Sequence, residues 1–561
     1  MASLDKKKKG MNMKQRKQNR QHYIFKIHTT RLKNNDWSLN LTPEEARSNN
    51  EVVAVSDSQA ISFVRELAGH VLTEDKLEAV ELRIRTIKQF KSGKASRQEL
   101  VRLFQRLDEL LFIQDYLFLV VDSHKDFDRA NQGFLINGRQ FHRLYGTANG
   151  VKKGTIVYVS DRVYAGLSKK INNGRNLSVP LVPAKLEAYK ALASSASQPV
   201  TEPGGMIVAQ DYVHTILADI VRIRDGDLKI PVLSEEIDYE VSFNINDGYG
   251  LISPELSRRW ADDLGLTYLP AGFCIRNSFM KGMLFTFDFH KFAREIAGSD
   301  EITDVWGDRQ FVFDAQLIVT ASMLKLWGSY TNMEHYLECC RKSGYTFRVT
   351  KATPEKLENC RNLNYQFIQS LPLTEEALDR LIEPTVNDIK AVLGDDWRKS
   401  LLFLKGTHLT DKHVTTLEYD FAQALMAAPE MIRDPFVRAK IRERIDKRIQ
   451  DAKLGQVKVQ GNYSIIAGDP YALCQSLFGI TVTGLLRAGE FYSAYWNEKK
   501  VKKAACFRAP MTCHNNNRIL RFKKTSEMLK WYRYMDTVTI FNSWDTTTHA
   551  LNGADMDECT A

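Results

Sequence analysis

Three glycine-containing segments in the middle of the chain decide the predicted fold: Asn246-Asp247-Gly248-Tyr249-Gly250-Leu251-Ile252-Ser253, Leu269-Pro270-Ala271-Gly272-Phe273-Cys274-Ile275-Arg276 and Met280-Lys281-Gly282-Met283-Leu284. The glycines of the first segment lack the spacing of a Walker or dinucleotide-binding loop, so we interpret it as a structural turn. Around these segments, short apolar runs alternate with turns, a pattern typical of short β-strands. The sequence therefore predicts a β-rich domain over residues 205–350.

Four other regions flank this domain. We predict a basic flexible arm over residues 1–40, a helical and mixed α/β region over 41–200, a helical connector over 351–458 and a second β-rich domain over 459–561. A Ser/Ala-rich break at Ala193-Ser194-Ser195-Ala196-Ser197 precedes Pro203-Gly204-Gly205 and marks the boundary before the first β-rich domain. The order of these regions indicates an α+β protein with a helical N-terminal part.

The connector contains three helix start signals. Pro354, Thr374 and Asp434-Pro435 are residue types that favour the first turn of a helix. A run of mixed charge extends from Arg438 to Lys453. We interpret that run as the solvent-exposed face of a helix rather than as a nucleic-acid groove.

The excess positive charge lies at the N-terminus. The chain has 78 basic and 68 acidic residues, a net charge of +10, and residues 1–35 contain eleven of the bases and only one acid. The arm therefore carries 11 − 1 = +10, and the rest of the chain is balanced. Such a segment suits nonspecific contact with nucleic-acid phosphates, although a solubilising tail has the same composition.

Composition also limits the class of protein. At 561 residues and 43% apolar content, the chain can form several packed domains. We find no apolar run long enough to cross a membrane and no apolar signal core after the N-terminal lysines. Eight cysteines without a paired Cys-x-x-Cys knuckle resemble reduced intracellular thiols. We therefore expect a cytoplasmic protein without membrane partners.

An acidic cluster follows an Asn-Gly turn near residue 555. The segment reads Asn552-Gly553-Ala554-Asp555-Met556-Asp557-Glu558-Cys559. Asn and Gly both tolerate positive φ, so we expect a tight turn that displays the carboxylates on a loop. In an extended loop Asp555 and Asp557 point to the same side, and paired carboxylate oxygens suit Mg²⁺.

The central segments resemble those of the cellular RNA-dependent RNA polymerase family. In that family a D-G-x-G-x-I-S segment precedes a P-x-x-F-x-I-R strand and a K-G turn. The later stretch Thr320-Ala321-Ser322-Met323-Leu324-Lys325-Leu326-Trp327 resembles its S-M-x-K element, and Ala505-Cys506-Phe507-Arg508-Ala509-Pro510 resembles its R-x-P strand. The order and spacing of these elements carry the resemblance, which extends to bacterial and phage single-chain RNA polymerases of the two-barrel superfamily.

The resemblance implies a fold, a reaction and a set of site residues. The fold would be two double-psi β-barrels separated by a helical connector, one barrel carrying lysines and the other aspartates. The reaction would be template-directed RNA synthesis by a two-metal mechanism, with nucleoside triphosphates, a nucleic acid template and the RNA product as partners. The implied catalytic residues are Lys281, Lys325, Asp555 and Asp557, with Arg508 and Arg276 contacting substrate and Asp555 and Asp557 holding Mg²⁺.

The acidic loop departs from the family pattern, which is D-x-D-x-D. Cys559 stands at the third aspartate, and a thiol is a poor ligand for Mg²⁺. Glu558 replaces a usual glycine and is an additional candidate ligand. We also expect the strand after the loop to be missing, so that the second barrel is incomplete and the chain is an N-terminal portion or inactive truncated form. A second polypeptide is then a candidate partner for completing the barrel.

Two alternatives to a polymerase remain. A non-catalytic nucleic-acid-binding protein on the polymerase scaffold would show steep salt dependence and no metal requirement. A glycosyltransferase also uses D-x-D to hold a metal, but it would require strand-helix alternation before the loop, which residues 461–552 lack.

Overall fold

The computed structural model describes residues 21–70, 73–90, 93–146, 154–394, 396–405, 420–556 and 559–560. Over these residues the protein is a mixed α+β structure whose chain divides into two compact units. Unit 1 holds the described residues within Met1–Val213, Asn244–Thr353 and Pro470–Thr483, and unit 2 those within His214–Phe243, Pro354–Asp469 and Gly484–Ala561. None of the described helices is long and apolar enough to cross a membrane.

Unit 1 begins with a seven-stranded sheet in the order β2-β5-β6-β7-β4-β1-β3. Its strands are β1 (Gln21–His28), β2 (Ser38–Leu39), β3 (Val52–Ser56), β4 (Phe112–Val120), β5 (Phe134–Ile136), β6 (Arg139–Gly146) and β7 (Thr155–Ser160). The helices of this part are Thr29–Lys33, Pro43–Ser48, Gln59–Leu67, Thr73–Phe90, Gly93–Leu111, His124–Asn131, Asp161–Asn172 and Pro183–Lys190.

The prediction of a flexible arm is wrong for residues 21–40, which contain β1, the helix Thr29–Lys33 and β2. Strand β1 lies between β3 and β4, and its Ile24, Phe25 and Ile27 are buried. Because Ile24 packs in one core cluster and Phe25 and Ile27 in another, both faces of β1 are covered, and its sequence lacks the alternation that reveals a half-buried strand. Lys33 forms an ion pair with Asp126 at 2.8 Å. Residues 1–20 lie outside the described residues.

The second sheet of unit 1 contains the glycine-rich segments. Eleven strands follow in chain order: β8 (Gln198–Pro199), β9 (Met206–Ala209), β10 (Val213–Asp225), β11 (Pro231–Asn244), β12 (Tyr249–Ile252), β13 (Gly272–Asn277), β14 (Met280–Thr286), β15 (Glu301–Thr303), β16 (Arg309–Phe311), β17 (Leu317–Thr320) and β18 (Arg348–Ala352). Seven of them form a sheet in the order β8-β18-β13-β14-β12-β17-β9. The helices Pro254–Asp263, Phe289–Phe292 and Met333–Ser343 complete this part of the chain. The pairs β10-β11 and β15-β16 are separate ribbons, and the ribbon of β10 and β11 belongs to unit 2 apart from its end residues Val213 and Asn244.

Unit 2 combines helices with a six-stranded sheet. Its strands are β19 (Cys360–Asn362), β20 (Lys458–Gln460), β21 (Ser464–Ala467), β22 (Glu490–Tyr492), β23 (Lys503–Phe507), β24 (Asn517–Phe522), β25 (Val538–Phe541) and β26 (Cys559–Thr560). The sheet order is β23-β24-β22-β25-β21-β26, and β19 pairs with β20. Between β19 and β20 lie the helices Tyr365–Gln369, Glu375–Val392, Trp397–Lys405, Asp420–Ala427 and Pro435–Lys453.

Two of the three predicted helix starts in the connector are confirmed. The side chain of Thr374 accepts a hydrogen bond from the Ala377 amide, and that of Asp434 accepts from the amides of Phe436 and Val437. Both residues are therefore N-caps. Pro354 starts no helix; the first connector helix begins at Tyr365.

The sheets that contain β12 and β22 share one strand order. In the first, β9 is parallel to β17, β17 antiparallel to β12, β12 parallel to β14, and β14 antiparallel to β13. In the second, β21, β25, β22, β24 and β23 repeat these relations in the same chain order. Two copies of one topology therefore account for both β-rich regions.

The expectation of a missing strand after the acidic loop is wrong. Residues Cys559–Thr560 form β26, which pairs antiparallel with β21 through Ser464 and Ile465. The backbone groups of Ser464 and Ile465 on this side of β21 therefore have a partner strand, which the exposed edge of a sheet would lack.

The glycine segments let two backbone segments cross at close range. Gly282 has φ +150°, and a Cβ atom placed on it would lie 2.3 Å from the carbonyl oxygen of Gly248. That oxygen accepts a hydrogen bond of 2.9 Å from the Met283 amide. Gly248 itself has φ +71°. The interpretation as a structural turn is confirmed for Asn246, Asp247 and Gly248, whereas Tyr249 and Gly250 begin strand β12.

Replacing Gly282 by alanine should destabilise unit 1 strongly. The added methyl combines a backbone region that alanine rarely adopts with overlap against Gly248, at a cost of about 3–5 kcal/mol. Gly298→Ala is the matched control, since Gly298 has φ +61° but nothing within 4 Å of its Cβ position, and should cost about 1–2 kcal/mol. Chemical denaturation of both variants measures the difference; equal losses would contradict the close crossing.

Candidate functional site

The predicted site residues fall into two groups, one in each unit. Lys281, Lys325 and Arg276 belong to unit 1, and Arg508 and Asp555 to unit 2. Asp557 and Glu558 lie outside the described residues. Each group is described within its own unit.

Lys281 and Lys325 are neighbours in unit 1. The amide of Lys281, on β14, donates to the Met323 carbonyl at 3.2 Å, and the amide of Lys325 donates to the Phe279 carbonyl at 3.0 Å. Met280 and Leu324 form an antiparallel bridge between these contacts. Two lysines that are 44 positions apart in the sequence therefore sit on paired backbone segments.

The turn that carries Lys325 depends on two acidic residues that the sequence analysis missed. Asp211 accepts hydrogen bonds from the amide of Ser322, at 2.9 Å, and from its hydroxyl. The Ser322 hydroxyl in turn accepts from the Gly248 amide at 2.8 Å. Asp247 Oδ1 lies 3.7 Å from Lys325 Nζ. No local signal identified either acid, because Asp247 and Lys325 are 325 − 247 = 78 residues apart and Asp211 and Ser322 are 111 residues apart.

The Lys325 side chain is only 19% exposed, whereas that of Asp247 is 39% exposed. An ammonium group so enclosed has lost part of its hydration and favours a nearby negative charge. The geometry therefore suits Lys325 to contact a phosphate, with Asp247 as its partner when no phosphate is bound.

Arg276 makes structural contacts inside unit 1. Its Nε donates to Ser195 Oγ at 3.2 Å, and its Nη1 donates to the Ile275 carbonyl at 2.6 Å. On β13 it stands opposite Lys281 in the register. The guanidinium therefore connects β13 to the segment around Ser195. Because its contacts are structural, we do not include Arg276 in the site that we propose below.

In unit 2 the acidic loop begins with the predicted Asn-Gly turn. Asn552 and Gly553 both have φ +62°. Leu551, Ala554 and Met556 are buried, and Asp555 is half-buried between the last two. The amides of Gly553 and Ala554 donate to the carbonyls of His549 and Thr548. Buried neighbours and backbone bonds therefore fix the position from which Asp555 extends.

Arg508 holds this loop from the side. Its Nη1 donates to the carbonyls of Asn552, at 3.0 Å, and Leu551, at 3.4 Å. The Asn552 side-chain amide donates back to the Pro510 carbonyl at 3.2 Å. The R-x-P strand and the acidic loop, predicted as separate motifs, are thus joined at the backbone of the turn.

The fit of this loop to a metal ion rests on the chemistry of its donors. Asp555 is a carboxylate on a fixed turn, and hard carboxylate oxygens are the ligands that Mg²⁺ prefers. Among the residues that the structure describes, no group of three His, Cys, Asp or Glu side chains could hold a metal ion. The donor type fits magnesium, and Asp557 and Glu558 would have to supply further oxygens.

Comparisons with known proteins agree with the resemblance found in the sequence. The profile of the family described as RNA dependent RNA polymerase matches residues 113–527. The chain is 26% identical over 442 residues, which are 76% of its length, to the protein named DNA-directed RNA polymerase YonO of Bacillus phage SPbeta.

A solved structure shares the fold. The RNA dependent RNA polymerase QDE-1 from Thielavia terrestris superimposes with a TM-score of 0.51 at 15% identity over 80% of this chain. The chain spans about half the length of both proteins, 48% in each case. Since the family profile matches most of the sequence, the chain belongs to the RNA-dependent RNA polymerase family.

Proposed function

We propose that this protein contributes to template-directed RNA synthesis, transferring nucleotides from nucleoside triphosphates to the 3′ hydroxyl of RNA with two Mg²⁺ ions. The observation that carries the proposal is the family match, because it spans the sheet with Lys281 and Lys325 and the R-x-P strand with Arg508. The activity of the whole polymerase is inferred for a chain that spans about half of its relatives.

We further propose that the two sheets of common strand order are the two double-psi β-barrels of this superfamily. The support is the repeated relation of β9, β17, β12 and β14 in β21, β25, β22 and β24. In each sheet two parallel pairs are joined by one antiparallel pair. The first sheet would carry the lysines and the second would precede the aspartate loop.

Nucleotidyl transfer develops negative charge that must be met by cations placed in advance. Bound Mg²⁺ would activate the hydroxyl and stabilise the pyrophosphate leaving group. Asp555, with Asp557 and Glu558, would hold the metal. Lys281 and Lys325 would contact phosphates as flexible point charges, and Arg508 would fix the turn beneath the ligands. Cys559 would contribute no hard ligand.

The proposal leaves the template open. One relative is named as DNA-directed and the other as RNA-dependent, so both template types belong in the assay.

We do not propose a second polypeptide, because Cys559–Thr560 supply a strand after the loop. The cytoplasmic location stays a prediction. Family membership does not favour a glycosyltransferase, and the non-catalytic binding protein is the alternative that the assays below separate.

Asp555→Asn should remove magnesium-dependent RNA synthesis. The amide keeps the size of the side chain but loses the charge that attracts the metal, so we expect a loss of at least about 100-fold in single-nucleotide addition. The assay is extension of an RNA primer by the 561-residue chain on RNA and DNA templates with Mg²⁺.

The surface substitution Asp128→Asn is the control for this change, since Asp128 lies on the helix His124–Asn131 in unit 1. Addition of EDTA should stop extension. Extension that survives either EDTA or Asp555→Asn would refute the metal role. Binding of the primer-template without any extension by the unmodified chain would favour the non-catalytic scaffold.

Lys325→Met should raise the KM for nucleoside triphosphates or weaken binding of the RNA end about 10-fold or more, because a charged hydrogen bond contributes about 1.5–3 kcal/mol. Lys281→Met should act in the same direction. Lys342→Met is the control, since Lys342 is 72% exposed and pairs with Glu338 on a helix of the same unit. Unchanged steady-state constants in both site variants would exclude a role for Lys281 and Lys325 in binding the nucleoside triphosphate or the RNA end.

Arg508→Lys should raise the Mg²⁺ concentration needed for half-maximal activity several-fold. Lysine keeps the charge but cannot reproduce the guanidinium contacts to Leu551 and Asn552, so the turn loses its brace. The control is Arg518→Lys, because Arg518, on β24, donates to the Asn515 side chain instead of to the acidic loop. A magnesium titration identical to that of the control would show that the brace is dispensable.

A further inference from the structure

A cavity of about 1240 Å³ lies within unit 2. The ladder of β19 and β20 contributes Arg361 and Lys458, and the three helices Glu375–Val392, Trp397–Lys405 and Pro435–Lys453 contribute the walls. Phe507 and Ala509 line it as well. Of the predicted catalytic residues that the structure describes, Lys281, Lys325 and Asp555, none is among its lining.

One face of the helix Pro435–Lys453 points into this cavity. Arg444, Lys447, Arg448 and Asp451 line it at positions i, i+3, i+4 and i+7. The apolar face of the same helix is buried at Val437, Ile441 and Ile445. The charged run therefore lines this cavity, with Lys447 exposed and Arg444, Arg448 and Asp451 half-buried. Residues at this spacing are about 5–6 Å apart at Cβ, so Arg444, Lys447 and Arg448 form a row of cations.

The lining carries an excess of positive charge. Six basic side chains face three acidic ones: Arg361, Lys399, Arg444, Lys447, Arg448 and Lys458 against Glu358, Asp388 and Asp451. Two of the acids are engaged in ion pairs, Asp388 with Lys458 at 2.6 Å and Glu358 with Arg361 at 3.3 Å. The lining therefore keeps a net charge of 6 − 3 = +3.

Arg448 is half-buried in this wall. Its Nη1 donates to the Gln456 carbonyl at 2.7 Å. Burial lowers the pKa of the Arg448 guanidinium, and the charges of Asp451 and Asp388 oppose that shift. A cation that has lost hydration in a basic wall gains from an incoming anion.

Aromatic rings accompany the cations. Tyr365 is 47% exposed at the cavity. The guanidinium carbon of Arg361 lies 4.6 Å from the ring centroid of Tyr463. Basic side chains that follow a backbone, together with rings on which bases stack, are the combination that proteins use for single-stranded nucleic acid. The volume exceeds the roughly 300–1,000 Å³ of ordinary small-molecule pockets.

We propose that this cavity binds a single-stranded RNA segment of a few nucleotides, with phosphates along Arg444 and Lys447 and bases against Tyr365 and Tyr463. The proposal rests on the proposed function only for the choice of RNA as ligand. The cation row, the net charge and the rings carry it without reference to the catalytic loop.

Photocrosslinking of the full chain to a 12-nucleotide RNA containing 4-thiouridine tests the proposal. Mass spectrometry should find crosslinked peptides that contain Tyr365 or Tyr463. Lys447→Glu should reduce their yield about 10-fold, because it replaces a phosphate contact by repulsion. Arg442→Glu makes the same change of charge on an exposed position of the same helix outside the lining, and should alter the yield less than about 2-fold.

Several outcomes would overturn the proposal. Crosslinks found only outside the cavity, or equal yields for Lys447→Glu and Arg442→Glu, would do so. If ATP binds at Tyr365 and Tyr463 while the 12-mer gives no crosslink, the cavity would be assigned to a mononucleotide instead. Thermal melting of both variants shows whether they are folded, and Arg444→Gln repeats the test with a milder change if Lys447→Glu melts early.

Failure of this proposal and failure of the proposed function are distinguishable. Asp555→Asn should keep the cavity crosslinks while it loses extension. Loss of the cavity crosslinks in Asp555→Asn would show that the two sites are one and would refute a separate binding site.

Discussion

The crossing of the Gly248 and Gly282 backbones is the constraint on which the lysine-bearing half of the site depends. At this point the Met283 amide reaches the Gly248 carbonyl, and no side chain fits between the two segments. The same crossing places Lys281 beside the turn that carries Lys325. Because Ser322 bonds both Gly248 and Asp211, the turn and the crossing form one hydrogen-bonded assembly. A side chain at position 282 would therefore disturb both lysines together.

Local features of the fold were predictable from sequence because they depend on near neighbours. The Asn552-Gly553 turn and the caps at Thr374 and Asp434 follow from the conformational preferences of single residues. Strand β1 was not predicted because a strand covered on both faces shows no alternation. Asp211 was not identified as a site residue because its importance lies in a bond to Ser322, 111 residues away. The ordered motifs identified the family where these individual residues could not.

Charge along the connector illustrates the same limit. The run from Arg438 to Lys453 has little contrast between its faces, so the sequence alone favours a solvated helix. The structure divides its residues between a buried apolar stripe, an exposed face and the cavity. Phe507 and Ala509 line that cavity, whereas Arg508 between them braces the acidic loop. Three successive residues at and just after the end of β23 thus contribute alternately to the cavity and to the acidic loop.

The interleaving of the two units has a consequence for synthesis on the ribosome. Unit 1 includes Pro470–Thr483, whereas unit 2 includes His214–Phe243, so neither unit corresponds to one continuous stretch of chain. The ribbon of β10 and β11 emerges more than a hundred residues before the rest of its unit begins at Pro354. Its Leu217, Val221 and Ile237 are largely exposed even in the finished protein. During translation this ribbon therefore exposes apolar residues before the rest of its unit is made, and exposed strand edges of this kind favour self-association.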